Sequence, residues 1–176
     1  MPQDLLSDDC ARCAALCCMA LAFDEGPSFA IGKPAGTPCR HLGADHGCAI
    51  HQHRRTAGFS GCIGYSCNGA GQRVTQECFG GRSWRDAPEL AVPMIEAFQR
   101  ARRIHDWLLL LREARKLPLT ADQQAGAQRL ETALTPDAGI GESWLAETAT
   151  GAMERQVTSF LTSLKETARA RMPKGA

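Results

Sequence analysis

The run Cys10-Ala11-Arg12-Cys13-Ala14-Ala15-Leu16-Cys17-Cys18 sets four thiols within nine residues. Wound as a helix, Cys10, Cys13 and Cys17 fall at i, i+3 and i+7 and share one face. Cys18 is then turned about 100° from Cys17. Three thiols would converge on one ion or cluster, and the fourth would point elsewhere. An extended knuckle around Cys10 to Cys13 is the other conformation open to this sequence. Cysteine is also a small buried hydrophobe, but packing alone gives no reason for such density.

A second set is spread through turn-rich sequence: Cys39, Cys48, Cys62 and Cys67. Thr37-Pro38-Cys39-Arg40-His41-Leu42 and Gly47-Cys48-Ala49-Ile50-His51 each set a cysteine near a histidine. Gly61-Cys62-Ile63-Gly64-Tyr65-Ser66-Cys67 is a C-x4-C segment with glycines around it. Such loops let backbone N–H groups approach sulfur closely, which tunes clusters and zinc sites alike. Eight cysteines serve two four-coordinate sites, or one site and a redox pair. The ninth, Cys78, receives no role. His41, His46, His51 and His53 are of a type that ligates zinc, copper or iron. With eight thiols present they are read as solvent-facing or supporting groups, His51 being the best exception. Arg12, Arg40, Arg54 and Arg55 would offset the negative charge of gathered thiolates.

Compartment decides what these thiols mean. The opening Met1-Pro2-Gln3-Asp4-Leu5-Leu6-Ser7-Asp8-Asp9 has neither a basic start nor an apolar run, so no secretory signal is expected. Ala14 to Phe23 and Trp107 to Leu111 are too short to span a bilayer. The expected location is cytoplasmic, where thiols stay reduced and dense cysteine reads as metal-binding or catalytic before disulfide. An odd count of nine also suits a paired disulfide framework poorly. Across 176 residues, 44% hydrophobic and 22% charged residues describe a globular chain rather than a disordered one. The net charge of +1 gives no reason to expect nucleic acid or an acidic membrane as partner.

Two regions are expected. Residues 1–85 hold every cysteine and four of the five histidines, with turns such as Lys33-Pro34-Ala35-Gly36-Thr37-Pro38 and Asn68-Gly69-Ala70-Gly71. Such a stretch buries too little apolar surface to offset its ordering entropy, and bound metal is the usual remedy. Residues 86–176 change to Ala, Leu, Glu, Arg and Gln, which are helix formers. Pro88 and Pro93 stand near the start of an apolar segment with Ile95, Phe98, Ile104, Leu108 and Leu111. Thr120-Ala121-Asp122-Gln123 is a capping box opening a second helix that carries Leu130 and Leu134. After a break around Pro136 to Gly141, a third helix is expected from about Glu142 to Arg171. Met153, Val157, Phe160, Leu161, Leu164 and Ala168 form one apolar stripe along it. The expected fold is mainly α: a loop-rich, metal-stabilised cysteine half packed on a helical half of about three antiparallel helices. The helical half offers a surface for a protein partner.

The cysteine run, then Gly36 to Leu42, Gly47 to His51 and Gly58 to Cys67, resembles the cysteine-cluster head of bacterial pentapeptide-repeat proteins. Gly69-Ala70-Gly71-Gln72 and Phe79-Gly80-Gly81-Arg82-Ser83-Trp84-Arg85 share the resemblance, which covers about residues 10 to 85. More distantly the pattern is similar to the YkgJ-like zinc- or iron-chelating cysteine-cluster family, with its C-x2-C…C-C start, Cys-x-x-Leu element and later Cys-x-Ile segment. The resemblance implies a chelating role and little more. No pentapeptide repeats occur here, so nothing repeat-based carries over, and Cys78 falls outside the family pattern.

Thiolates select zinc, Cu(I) or iron–sulfur clusters over hard cations. Structural zinc favours paired C-x2-4-C knuckles, which only Cys10 to Cys13 and Cys62 to Cys67 approach, and adjacent Cys17-Cys18 fits that grammar poorly. Iron–sulfur clusters accept a compact group with remote cysteines. The preferred expectation is therefore an iron–sulfur protein with a redox, electron-transfer or sensing role. Its ligands are Cys10, Cys13, Cys17, Cys18, Cys39, Cys48, Cys62 and Cys67, holding [4Fe-4S] in one or two copies. Zinc with a structural role and a helical interaction surface is one alternative. A metalloenzyme with an open coordination site is the other, although the first half offers only scattered acid–base candidates: Asp24, Glu25, Asp45, His46 and Tyr65. Neither a nucleotide loop, a Gly-x-Ser-x-Gly elbow nor a His-Glu-x-x-His motif is present.

Overall fold

The computed structural model describes residues 4–171. The first three residues and the side chain of Ala168, on which part of the leader reading and the last position of the apolar stripe rest, lie outside the described residues. The chain is mainly helical, as expected. Among the described residues β pairing is confined to isolated bridges, Phe23 with Lys33, Gly26 with Phe29, and Leu42 with Cys48. No helix of the described residues is long and apolar enough to cross a membrane.

The cysteine-rich part contains three short helices, α1 (Leu16–Ala20), α2 (Gly61–Gly64) and α3 (Ala70–Arg73), the last running on into a π-turn at Val74–Cys78. Helix α4 (Ala91–Ala114) is the longest element. Pro88 opens a 3-10 turn leading into it, and Pro93 sits in its first turn, where no N–H partner is needed. Met94, Ala97, Phe98, Ala101, Ile104, Leu108 and Leu111 recur every three or four residues and are all buried. His105 and Trp107 widen that face until it surrounds much of the helix.

One apolar core results. Leu16, Met19, Ala70 and Val74 come from the cysteine-rich part, and Met94, Phe98, Ile104, Leu111, Leu134, Leu145 and Val157 from the helices that follow. Helix α4 touches α1, α3 and the π-turn, and also α5 (Ala121–Leu134), α6 (Glu142–Thr148) and α7 (Gly151–Ser163). A glycine- and cysteine-rich segment with few apolar residues therefore buries them against a helix made elsewhere in the chain.

The capping box opens α5 as expected. The Thr120 hydroxyl accepts from Gln123 N at 3.3 Å, and Thr120 N donates to Gln123 Oε1 at 3.0 Å. The single third helix expected over Glu142 to Arg171 is instead three segments: α6, α7 and α8 (Lys165–Arg171). Thr150 is extended, and its hydroxyl accepts from Met153 N at 3.4 Å, which caps a new helix rather than continuing the old one. Gly151, a poor helix former, follows as the first residue of that helix. Val157 and Leu164 of the expected stripe are buried, and Met153, Phe160 and Leu161 pack partly against the core.

His105 is fully buried on α4, and its Nδ1 lies 2.6 Å from the Asn68 carbonyl oxygen. Burial lowers its pKa from 6.5 to about 4, and the Arg73 cation adds to this, while the Asn68 bond, Glu77 and Asp106 act in the opposite direction. The native state thus binds the proton less readily than the unfolded chain. Stability from this residue is complete above pH 6.5 and is lost as pH falls through that value toward about 4. The full difference corresponds to roughly 3 kcal/mol. Urea unfolding should therefore show a smaller loss of stability between neutral pH and pH 4.5 in His105→Gln than in the parent. Equal pH slopes in the two proteins would contradict this account.

Candidate metal centre

The run from Cys10 to Cys18 is neither one helix nor an extended knuckle. Cys10–Arg12 forms a single 3-10 turn, Cys13 is extended, and Ala15 is left-handed with φ 56° before α1 begins. Cys10, Cys13 and Cys17 therefore do not share a continuous helical face. The bend is held from outside. Ala14 N donates to Thr75 Oγ1 at 3.1 Å, Trp84 Nε1 donates to the Ala14 carbonyl at 2.8 Å, and Gln76 Nε2 donates to the Arg12 carbonyl at 2.8 Å. Such a left-handed alanine persists because its neighbours are fixed by these bonds.

The second set is anchored in turn. Cys39 N donates to the Cys18 carbonyl at 3.0 Å, tying the two cysteine groups together through backbone. Leu42 N donates to the Cys39 carbonyl at 3.0 Å, and the Leu42–Cys48 bridge fixes Cys48 beside it. Cys62 lies on α2, where Arg54 donates to its carbonyl at 3.0 Å and to the His51 carbonyl at 2.9 Å. Cys67 Sγ donates to Asp8 Oδ1 at 3.2 Å and accepts from Gly71 N at 3.4 Å. The same Asp8 oxygen accepts from Gly69 N at 2.9 Å, so the turn carrying Cys67 is held between Asp8 and His105.

Eight of the nine cysteines line two adjoining cavities. A cleft of about 620 Å³ is lined by Cys10, Cys13, Cys17, Cys18, Cys48 and Cys67, with Asp45, His46, His51 and Phe98. A smaller cavity of about 210 Å³, enclosed to the same degree, is lined by Cys17, Cys18, Cys39, Cys48 and Cys62, with Phe23, Phe29, Phe59 and Tyr65. Cys78 lines neither of them; its thiol reaches the Ile140 carbonyl at 3.5 Å, and burial pushes its pKa up to about 11. All nine cysteines are free thiols. Among the described residues no three His, Cys, Asp or Glu side chains are drawn together as a set that could hold a metal ion.

Burial pushes the Cys10, Cys13, Cys39 and Cys62 thiols up, and burial with the Asp8 carboxylate brings Cys67 to about 12. Cys17 and Cys18 differ from each other. Their sulfurs lie 4.0 Å apart, and the hydrogen bond donated by Cys17 raises its own pKa and lowers that of Cys18 to about 7. Lys33 adds to that lowering. This lysine is only 7% exposed, and its ammonium donates to the carbonyls of Thr37 at 2.7 Å, Pro34 at 3.0 Å and Met19 at 3.4 Å. Burial lowers the Lys33 pKa, and the charges of Cys39, Cys18 and Cys17 raise it. A buried ammonium beside three thiols favours their ionised forms.

The histidines divide. His46 Nε2 lies 2.6 Å from Ser83 Oγ, and His41 packs edge-on against Phe59 with centroids 4.9 Å apart. His46 and His51 line the cleft, and His41 lines the enclosed cavity. His53 lies in the 3-10 turn His51–His53. Of the arginines, Arg54 is built into the site through its two carbonyl bonds. Lys33 was not legible as a site residue, because Lys33-Pro34 reads as a turn and only the fold turns its side chain inward.

Gly71 packs directly against the sulfurs. A methyl group there would lie 2.7 Å from Cys13 Sγ and 3.6 Å from Cys67 Sγ. Gly71 has ordinary helical geometry, so on propensity alone alanine should stabilise α3 by about 1 kcal/mol. Overpacking against sulfur reverses the sign and costs about 1–3 kcal/mol. Gly64→Ala, with nothing within 4 Å, is the control and should be neutral or slightly stabilising. Thermal melting of the two variants checks the contrast, and a Gly71→Ala protein as stable as Gly64→Ala would refute it.

An uncharacterized protein, YybG of Bacillus subtilis (strain 168), is similar to this chain, being 44% identical over 109 residues. The match covers 62% of this chain and 39% of YybG, so the chain spans well under two thirds of that relative's length. No family model and no solved structure matches the chain.

Proposed function

We propose that the protein binds iron–sulfur clusters through Cys10, Cys13, Cys17, Cys18, Cys39, Cys48, Cys62 and Cys67, in a redox, electron-transfer or sensing role in the cytoplasm. The observation that supports the reading is that these eight cysteines line two adjoining cavities, with Cys78 left outside. The donor chemistry suits the group. Soft thiolates prefer iron–sulfur, zinc or Cu(I), and a polynuclear cluster supplies inorganic sulfide that fills space between sulfurs standing around a cavity. When bound, such a cluster supplies one-electron transfer.

The surroundings supply what gathered thiolates need. Lys33 and Arg54 bring cationic charge, and Gly71 brings a backbone N–H to Cys67 sulfur. The Tyr65 hydroxyl, beside the enclosed cavity, is buried without a hydrogen-bond partner among the described residues. A thiolate or sulfide acceptor would satisfy that hydroxyl. The apolar lining of the enclosed cavity by three phenylalanines favours a second reading, in which one site keeps an open position for a small ligand. The helical half supplies a surface for a protein partner under either reading.

The test is oxygen-free purification followed by measurement of iron, zinc, copper and acid-labile sulfide. Iron with near-equal sulfide is expected in the parent and in Cys78→Ser, whereas Cys13→Ser and Cys62→Ser should each lose metal and melt at lower temperature. Zinc without sulfide would replace this reading with the structural-zinc alternative. Unchanged metal and melting in both ligand variants would reject the ligand assignment.

A further inference from the structure

The backbone sorts the eight thiols by means of α1. Cys17 and Cys18 are consecutive on that helix and therefore turned about 100° apart, with their sulfurs 4.0 Å from each other. Together with Cys48 they line both the cleft and the enclosed cavity. On the cleft side, Cys13 and Cys67 converge at Gly71, so their sulfurs can be no farther apart than the sum of the two Gly71 distances, 2.7 and 3.6 Å. Cys10 lines the cleft and not the enclosed cavity. On the other side, Cys39 and Cys62 line the enclosed cavity and not the cleft. Cys39 is tied to Cys18 by a backbone hydrogen bond of 3.0 Å, and Cys48 is tied to Cys39 through Leu42.

Cys17, Cys18 and Cys48 border both spaces, and the backbone separates them. Cys18 is joined to Cys39 by that 3.0 Å bond and Cys48 to Cys39 through Leu42, which places both with the ligands Cys39 and Cys62 and leaves Cys17 to the cleft. From these juxtapositions we infer two separate four-sulfur sites: Cys10, Cys13, Cys17 and Cys67 in the cleft, and Cys18, Cys39, Cys48 and Cys62 in the enclosed cavity. The inference rests on the sulfur-ligated reading above and adds the division of ligands, which holds for iron–sulfur clusters or zinc alike. The cleft site has Asp8 against Cys67, whereas the enclosed site has Lys33 and Arg54 beside it.

The test uses the full chain purified without oxygen, with metal and sulfide counted per chain. The double variants Cys13→Ser/Cys67→Ser and Cys39→Ser/Cys62→Ser should each keep half of the parent's metal, and a quadruple variant should keep none. Gly71→Val, which leaves every thiol in place and sets its Cβ against the Cys13 and Cys67 sulfurs, should also fall to half. It stands as the deciding measurement where circular dichroism shows a double variant unfolded. Complete loss in either folded double variant, or in folded Gly71→Val, would overturn the division, as would full retention. Zinc without sulfide that halves in each variant keeps the division and rejects the iron–sulfur reading. Iron and sulfide lost together from a folded double variant does the reverse, and a parent without bound metal rejects both.

Discussion

Helix α4 supplies the apolar surface on which the thiol-bearing loops are laid. The segment before residue 85 contributes Leu6, Ala14, Leu16, Met19, Ala20, Ala70, Val74, Phe79 and Trp84 to the core, three of them alanines, and they share one cluster with the side chains of the helices that follow. Packed against Phe98, Met94 and Ile104 in one cluster, they position α1 and α3, and those two short helices carry or abut Cys17, Cys18 and the Gly71 contact. His105 extends the same dependence to Cys67 by holding the Asn68 carbonyl. The helical half is thus the platform of the sulfur-rich half.

Polar contacts then refine what packing places. Thr75, Gln76 and Trp84, all after the last proposed ligand in sequence, hold the backbone of Arg12 and Ala14. Lys33 joins the Met19 carbonyl of α1 to the Pro34 and Thr37 carbonyls of its own turn and brings a positive charge to Cys18, Cys39 and Cys17. A buried ammonium is costly unless it is well bonded and faces compensating charge. Its position beside Cys18 and Cys39 favours their ionised forms.

Much of this was legible in the residues and some was not. The helix-forming composition after Asp86, the Thr120 capping box and the apolar positions of α4 are local signals, and they survive folding unchanged. The division of the last helix was signalled by Thr150-Gly151, a cap followed by a poor helix former, but the continuous stripe from Met153 onward masked it. The shape of Cys10 to Cys18 was not legible, because Ala14, beside the left-handed Ala15, is held by Thr75 and Trp84, 61 and 70 residues further along the chain. Lys33 and His105 escaped for the same reason: nothing near either residue says that its side chain turns inward.

The outside anchoring of the first cysteine run bears on how it can be transplanted. A peptide or graft spanning residues 10–18 would carry four sulfurs and leave behind the hydroxyl, indole and carboxamide that bend the chain between them. The smallest portable unit is therefore set by Trp84 and α4, and a spacing pattern copied by itself would aim its thiols differently in a new host.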